Sequence, residues 1–485
     1  MADIKEACGV FGVYAPGEDV ARITFFGLYA LQHRGQESAG IATFDERGLH
    51  LRTGMGLVAR VFEEHDLSSL RGDAAIGHTR YSTTGSSTIE NAQPIRADGP
   101  FGPVAVAHNG NLVNAARLRD ALTERGIALT STTDSEVIAR MLVETPGDSW
   151  SERLAAVMRR MEGAYSLVVL AGDEVLAARD NFGVRPLCLG RLNGGWTVAS
   201  ESCALDHLGA TFLRDVQPGE VVSLGPAGVS SLQALERRDA ACIFEHIYFA
   251  RPDSRLGGEQ LYPVRMRMGA QLARLYPVEA DIVIGIPDSA TAAAIGYAHE
   301  SGIPFVEGFV KNRYVGRTFI QPDQRIREQG VALKYNPPPH VLQGKRVVVV
   351  DDSIVRGTTT PHVIRLLRGA GVTEVHMRVC APPITHPCFF GVDMATRSEL
   401  IAARMSLDEI CREIGADSLG YLTIDGLVEA VGGPKDSFCL ACFTGDYPIP
   451  VQLEMDKLVF ERKRERPGQA PTEATPASDA RRGRP

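Results

Sequence analysis

The sequence predicts two domains in tandem, an α+β domain followed by an α/β domain built on a parallel sheet. The first half alternates short apolar runs and turn residues with a few helical patterns, which favours antiparallel strands with added helices. In the second half, continuous apolar runs are each followed by a helical pattern, which indicates parallel strands joined by helices. The 485 residues leave room for two or three domains of ordinary size.

The elements of the first half are short. Strand patterns occur at Val10–Tyr14, Val104–Ala107 and Tyr165–Leu170, and helical patterns at Arg22–Gln32 and Ser135–Leu142. A stretch with Gly and Pro, residues 224–229, precedes the charged residues 236–239. Such a composition is typical of a connection between domains, so we place the boundary after residue 235.

In the second half, strand patterns at Asp281–Ile286 and Arg346–Val350 precede helical patterns at Ala290–Gly302 and up to Leu367. Parallel sheets of this kind carry their sites at the carboxyl ends of the strands. The second domain is predicted to span residues 236–462. The tail over residues 463–485 is rich in Pro, Arg, Glu and Ala, and we expect it to be disordered.

Composition excludes several functional classes. A formal net charge of −8 argues against a general nucleic-acid or anionic-membrane binder. No apolar run reaches eighteen residues, so no transmembrane helix is expected. The first ten residues lack the basic and apolar regions of a secretory signal, and we expect a cytoplasmic protein. Nine cysteines in such a chain favour nucleophile or metal roles over disulfides.

The most specific local pattern is a run of four valines, Val347–Val350, followed by Asp351, Asp352 and the hydroxyl-rich loop Ser353–Thr359. A buried strand here delivers two carboxylates to its end, and the loop opens a helix whose N–H groups suit a phosphate. Paired aspartates can also reach ribose hydroxyls and a hydrated Mg²⁺ ion. A solvated turn whose aspartates only cap the helix is the structural alternative.

The pattern resembles the phosphoribosyl pyrophosphate (PRPP) motif of type I phosphoribosyltransferases. The resemblance assigns PRPP binding to Asp351, Asp352, Ser353, Gly357, Thr358 and Thr359. It assigns Mg²⁺ to the two aspartates and to Ser289, which follows another strand. The basic loop over residues 311–322 resembles the flap that closes over PRPP in this family, with Lys311 and Arg317 as binding residues.

The first half resembles the glutaminase domain of N-terminal-nucleophile amidotransferases, which implies a four-layer αββα fold. In this family a propeptide, here residues 1–7, is removed so that a cysteine becomes the first residue. Cys8 is then the nucleophile, and its α-amino group is the base. By the same resemblance, Asn109 and Gly110 form the oxyanion hole. Glutamine is bound by Arg34, Arg80 and Asp134, each of which lies in a segment typical of the family.

Four further cysteines have the pattern of a metal site. Cys439 and Cys442 form a C-x-x-C pair, with Cys242 and Cys388 as distant partners. Four thiolates suit zinc and a [4Fe–4S] cluster equally well. Free buried thiols are the alternative without a metal.

Both halves together, in this order, resemble the amidophosphoribosyltransferases, and the four cysteines match the branch that carries a structural [4Fe–4S] cluster. The resemblance implies that glutamine supplies ammonia to PRPP in the first committed step of purine synthesis. It also implies feedback inhibition by AMP, GMP and ADP, a homotetramer, and a coupling role between the domains for Tyr248.

Two other functions need to be weighed. An amidotransferase of the glucosamine-6-phosphate synthase type would share the first half, but it would lack the aspartate pair after Val350. A purine repressor that binds PRPP without catalysis would lack the first half and would carry a basic DNA-binding segment, and neither pattern is present.

Overall fold

The computed structural model describes residues 8–81, 86–312, 335–392 and 396–451. Several predictions lie outside these residues: the propeptide over residues 1–7, the flap over residues 313–322 with the binding role of Arg317, the end of the second domain over residues 452–462, and the disordered tail. None of the helices in the described ranges combines the length and apolar character that spanning a bilayer requires.

The described part of the first domain contains two antiparallel sheets. Its strands, in chain order, are β1 (Gly9–Tyr14), β2 (Ser38–Asp45), β3 (Gly48–Met55), β4 (Ala74–Arg80), β5 (Ile95–Ala97), β6 (Val104–Leu112), β7 (Gly163–Ala171), β8 (Glu174–Arg179), β9 (Cys188–Leu192), β10 (Gly195–Ala199), β11 (Thr211–Asp215), β12 (Glu220–Gly225) and β13 (Gly228–Gln233). The spatial orders are β11-β9-β10-β1-β4-β2-β3 and β13-β12-β8-β7-β6-β5.

Helices cover the outer face of each sheet, so the domain has four layers. They are α1 (Val20–Ala30), α2 (Val58–Val61), α3 (Glu64–Ser69), α4 (Ala115–Glu124), α5 (Asp134–Glu144), α6 (Trp150–Met158) and α7 (Ser202–His207). Strand β6 is apolar on both faces because each face packs into a different core. Val104 and Val106 pack with the core beneath α4 to α6, whereas Ala105 and Ala107 pack into the core between the two sheets. The predicted αββα arrangement is confirmed.

The second domain is built on a four-stranded parallel sheet in the order β17-β20-β21-β22. Its strands are β14 (Ala241–Cys242), β15 (Arg255–Leu256), β16 (Glu259–Gln260), β17 (Ile282–Gly285), β18 (Val310–Lys311), β19 (Tyr335–Asn336), β20 (Arg346–Asp351), β21 (Glu374–Val379), β22 (Ser418–Tyr421) and β23 (Phe438–Cys439). Its helices are α8 (Leu261–Leu275), α9 (Thr291–Ser301), α10 (Pro339–Leu342), α11 (Thr360–Gly369), α12 (Leu407–Ile414), α13 (Ile424–Val431) and α14 (Ala441–Thr444).

The four valines of β20 are fully buried, as expected for a central parallel strand covered on both faces. The small residues of α9 have a packing reason. A Cβ on Gly296 would lie 1.9 Å from Met266 O, and one on Gly269 of α8 would lie 1.8 Å from Ala293 O. Glycine therefore allows the backbones of α8 and α9 to approach closely.

One expectation about the domain connection is wrong. Residues 224–229 do not join the domains, because β12 and β13 pair as a hairpin from Glu220↔Gln233 to Gly225↔Gly228. The Gly and Pro residues there make the hairpin turn, which has the same composition as a linker. Strand β13 ends at Gln233, just before the predicted boundary.

Candidate active sites

Cys8 lies immediately before β1 and is almost completely buried. Its thiol donates to the backbone oxygen of Tyr81 (3.2 Å), and the N–H of Tyr81 approaches Sγ at 3.4 Å. Burial raises the pKa of Cys8 to about 11, although the charge of Arg80 lowers it in part. At neutral pH the side chain is therefore a thiol, and nucleophilic attack needs a base that removes its proton.

Three of the residues predicted for the glutaminase site lie together with Cys8. Arg80, Gly110 and Asp134 line one narrow cavity with Cys8, in a set completed by Tyr81, Gln93, His108 and Thr133. Strands β4 and β6 and the first turn of α5 supply these residues. An arginine and an aspartate in one cavity can bind the carboxylate and the ammonium group of an amino acid.

Asp134 is ionised in this cavity. Burial opposes its ionisation, but interaction with His108 and the N–H of Leu112 (3.0 Å to Oδ2) together hold its pKa below the ordinary value. His108 Nδ1 lies 3.5 Å from Asp134 Oδ1. The aspartate is thus a fixed negative charge at the start of a helix, where the helix dipole also favours it.

Asn109 and Gly110 are neighbours on β6. Both amide atoms of the Asn109 side chain are buried and have no partner. Gly110 has φ +149°, and a Cβ there would lie 2.0 Å from Ala164 O. A buried amide with an unused donor costs stability, and such groups occur where a donor is held ready for a ligand or a transition state.

Arg34 is fully buried and reaches the backbone of Cys8. Its Nε donates to the carbonyl oxygen of Cys8 (3.1 Å). Its two terminal nitrogens donate to Glu201 and Glu245, at 2.7 Å for Nη2 to Glu245 Oε1. Arg185 pairs with the same carboxylate (3.2 Å). The structure therefore places Arg34 in an ion-pair network behind Cys8, and Arg34 is not among the residues that line the cavity.

At the other site, β20 ends at Asp351, and Asp351, Asp352 and Ser353 are all buried. Asp351 Oδ1 accepts from the N–H of Asp352 (2.8 Å), and Asp352 Oδ1 accepts from the hydroxyl of Ser353 (2.5 Å). Asp352 Oδ2 is buried without a partner, as is Ser289 Oγ after β17. Burial, together with the charge of Asp352, raises the pKa of Asp351. The two unpartnered oxygens, Asp352 Oδ2 and Ser289 Oγ, are suitable ligands for a cation such as Mg²⁺.

The loop after the aspartates leads into α11, as predicted. Thr359 is the residue at the helix start, and Gly357 has φ +74°, a conformation that favours glycine. Lys311 forms an ion pair with Asp288, beside Ser289. The hydroxyl of Tyr335 donates to Pro287 O (3.2 Å), which brings β19 to the same edge of the sheet.

The four cysteines of the predicted metal site lie in the same region of the fold, but they are not arranged as the ligands of one metal site. Cys242 and Cys439 are paired residues of the parallel strands β14 and β23. Burial raises the pKa of the Cys242, Cys439 and Cys442 thiols. The charge of Cys388 raises the pKa of each of these three thiols further. Within the described ranges, no three His, Cys, Asp or Glu side chains are arranged to hold a metal ion.

Comparison with known proteins decides the family. Models of a glutamine amidotransferase domain and of a phosphoribosyl transferase domain match residues 78–207 and 258–385. Amidophosphoribosyltransferase from Synechococcus elongatus is 51% identical over 466 residues, or 94% of each chain. The protein of that name from Archaeoglobus fulgidus is 50% identical over 455 residues, or 92% of this chain and 99% of its own. The chain belongs to the amidophosphoribosyltransferases.

Solved structures agree with this assignment to the amidophosphoribosyltransferases. One, described as the allosteric regulatory enzyme of purine biosynthesis, has a TM-score of 0.87 at 44% identity and covers 92% of this chain and 97% of its own. Glutamine PRPP amidotransferase from B. subtilis, in complex with ADP and GMP, gives the same TM-score and identity and covers 93% and 99%. The chain is thus an enzyme of purine biosynthesis that transfers ammonia from glutamine to PRPP. The two alternatives are excluded, because each lacks one of the matched domains.

Several residues of this amidophosphoribosyltransferase site have no signal in the sequence. Glu201 and Glu245 bind Arg34 although they lie 167 and 211 positions from it, and Arg185 binds Glu245. His108 directly precedes Asn109, but its contact with Asp134 could not be predicted from the distance between them in the sequence. Tyr248, predicted to couple the domains, lies in the π-helical turn Glu245–Phe249, with its ring 5.6 Å from that of Phe249.

Proposed function

We propose that glutamine cleavage in this amidophosphoribosyltransferase occurs at Cys8, after removal of residues 1–7. The α-amine of Cys8 takes the thiol proton, and Sγ bonds to the amide carbon of glutamine. The amide nitrogen then leaves as ammonia with that proton, and water cleaves the thioester to glutamate. The raised pKa of Cys8 supports a mechanism with a base, since the thiol is protonated at neutral pH.

Four other residues predicted for the glutaminase site have separate roles in this proposal; Arg80, Gly110 and Asp134 line the cavity with Cys8, and Asn109 precedes Gly110 on β6. Arg80 pairs with the α-carboxylate of glutamine and Asp134 with its α-ammonium group. Asn109 and the N–H of Gly110 stabilise the oxyanion, a role supported by the unpartnered buried amide of Asn109. The single observation that carries the assignment is that Cys8, Arg80, Gly110 and Asp134 line one cavity.

We propose that PRPP binds at the carboxyl end of β20. Asp351 and Asp352 face the ribose hydroxyls, and the loop from Ser353 to Thr359 holds the 5-phosphate at the start of α11. The nitrogen of ammonia attacks C1 of the ribose, the bond from C1 to the pyrophosphate oxygen breaks, and the nitrogen then loses a proton. Mg²⁺, held by Asp351, Asp352 and Ser289, would neutralise the leaving pyrophosphate. Lys311 and Arg317 are proposed to contact PRPP from the basic loop.

For the four cysteines we propose a structural [4Fe–4S] cluster. All four thiols are free, and Cys242 and Cys439 are paired residues of adjacent strands. The four thiols come from three segments: Cys242 lies on β14, Cys388 between β21 and β22, and Cys439 and Cys442 at β23 and α14, so a cluster would tie these segments together. Iron and sulfide content of anaerobically purified protein tests this assignment against zinc.

Regulation is proposed from a relative, and assembly from the family resemblance alone. The B. subtilis enzyme in complex with ADP and GMP supports feedback inhibition here by AMP, GMP and ADP. Titration of glutamine-dependent turnover with each nucleotide tests this. A homotetramer in the cytoplasm is also proposed, and sedimentation of the purified enzyme measures its assembly.

The central test is glutamine-dependent release of pyrophosphate from PRPP and Mg²⁺, with the intact mass of the enzyme recorded. Turnover should require a mass without residues 1–7. Cys8→Ala should abolish turnover with glutamine and retain turnover with ammonia. Loss of both activities in a folded Cys8→Ala variant would contradict the assignment of two separate sites.

A further inference from the structure

The glutaminase site includes a charged side chain from the other domain. Glu245, at the start of the turn Glu245–Phe249, is 2% exposed and accepts from two buried arginines of the first domain. Arg34 donates to its two oxygens at 2.7 and 3.0 Å, and Arg185 donates at 3.2 Å. Glu201 is the second carboxylate of the cluster. Two buried guanidinium groups are thus balanced by two buried carboxylates, and His33 also contacts Glu201 (2.7 Å).

The third nitrogen of Arg34 connects this cluster to the nucleophile. Because the guanidinium is planar, the two bonds to Glu245 also set the direction of Nε, which donates to Cys8 O at 3.1 Å. In the mature enzyme Cys8 is the terminal residue, so no preceding residue restrains its backbone. Its carbonyl is then one of the few points at which the protein can hold it.

We propose that Glu245 is a positioning residue for glutamine cleavage, which acts by orienting Arg34 against the carbonyl of Cys8. The proposal rests on the function proposed for Cys8. The phosphoribosyltransferase domain thereby completes the glutaminase site, although Glu245 itself does not contact glutamine.

The second domain holds Glu245 in place through its backbone. Arg265 of α8 is buried and donates to the carbonyl oxygens of His246 (3.0 Å) and Ala250 (2.6 Å). These two bonds close the turn that begins with Glu245, in the way that a cation favours the end of a helix. Arg265 therefore anchors the turn on α8, which packs closely against α9 of the second domain.

The test replaces Glu245 by Gln, which keeps the shape of the side chain and removes its charge. We expect kcat for glutamine-dependent turnover to fall roughly 10- to 100-fold, since small misplacements of a nucleophile cost this much. KM for glutamine should change less than about threefold, and ammonia-dependent turnover less than about twofold, because Glu245 contacts neither substrate. Glu220→Gln is the matched control, since Glu220 is also buried and pairs with one arginine, Arg214, at 2.7 and 2.8 Å.

A double-mutant cycle identifies the route. If Glu245 acts through Arg34, Glu245→Gln should add little to the loss already caused by Arg34→Gln. Full additivity, an unchanged kcat in Glu245→Gln, or an equal loss in Glu220→Gln would each overturn the proposal.

Two further variants keep the result decisive. If Glu245→Gln also loses ammonia-dependent turnover, Glu245→Asp is measured. Its side chain keeps the negative charge but is one methylene shorter, so the carboxylate lies farther from Arg34. A selective loss with glutamine then supports the proposal, and a parallel loss of both activities overturns it.

Cys8→Ala is measured alongside, to separate the positioning role from the nucleophile assignment. Retained glutamine turnover in that variant contradicts the nucleophile assignment, whereas normal turnover in Glu245→Gln beside an inactive Cys8→Ala contradicts only the positioning role.

Discussion

Replacement of Asn109 by Ala should have opposite effects on folding stability and on the rate of glutamine cleavage. The Asn109 side chain is completely buried on β6, and neither its amide nitrogen nor its oxygen has a partner. In the resting enzyme this amide is an unsatisfied polar group. In the proposed transition state its N–H donates to the oxyanion, so the same group should lower stability and raise the rate.

The magnitudes follow from these two roles. Loss of one oxyanion-hole donor typically costs about 3 kcal/mol in the transition state, so glutamine-dependent kcat should fall roughly 10²- to 10³-fold. Removing a buried unsatisfied amide relieves about 1–3 kcal/mol, and the lost packing offsets about 1 kcal/mol of that. We therefore expect the free energy of unfolding to rise by about 0–2 kcal/mol. Ammonia-dependent turnover should be unchanged.

Asn91 supplies the matched control. It is equally buried, but its Nδ2 donates to Ser86 O (2.9 Å) and Thr132 Oγ1 (2.8 Å), and its Oδ1 accepts from the N–H of Thr132 (2.9 Å). Asn91→Ala should lower the free energy of unfolding by about 2–4 kcal/mol, because it removes three hydrogen bonds.

The assay compares urea unfolding of both variants with steady-state turnover on glutamine and on ammonia. A clear destabilisation of Asn109→Ala, similar to that of Asn91→Ala, would refute the reasoning on stability. Normal glutamine turnover in Asn109→Ala would refute its place in the oxyanion hole.

Four further predictions concern other parts of the chain. Asp352→Asn should lower pyrophosphate release roughly 100-fold or more with either nitrogen source, and normal turnover with ammonia would contradict its placement. Cys442→Ser should purify with little or no iron and unfold at lower temperature, and wild-type iron content would contradict the cluster. Gly296→Val should lower the free energy of unfolding by about 3 kcal/mol or more, since a Cβ would lie 1.9 Å from a carbonyl oxygen, and wild-type stability would refute that close contact. Burial lowers the pKa of His78 to about 3, below about 6.5 in the unfolded chain, so its contribution to stability is complete above pH 6.5 and is lost as pH falls towards 3. Between about pH 4 and 6 the slope is about 1.4 kcal/mol per pH unit, and His78→Gln should remove it from unfolding curves measured over that range.

Local patterns in the sequence determined most of the elements that carry chemistry. The four valines before Asp351 predicted a buried parallel strand with carboxylates at its end, and β20 has this form. Such a site is readable because strand, aspartates and phosphate loop are consecutive in the chain. Composition was less informative at residues 224–229, since a hairpin turn and a linker use the same residues.

Only the tertiary structure decided which distant groups meet. Cys242 and Cys439 become neighbours through the pairing of two strands nearly two hundred residues apart, and C-x-x-C spacing alone marks just two of the four thiols. Glu245 reaches Arg34 across the join between the domains, and the segment around Arg34 gives no sign of that partner. Burial gives these contacts their effect, because a charge without water must be paired by another charge. The sequence by itself thus determined the two chemistries of the chain, whereas the packing of one domain on the other decided which side chains surround Cys8 and Arg34.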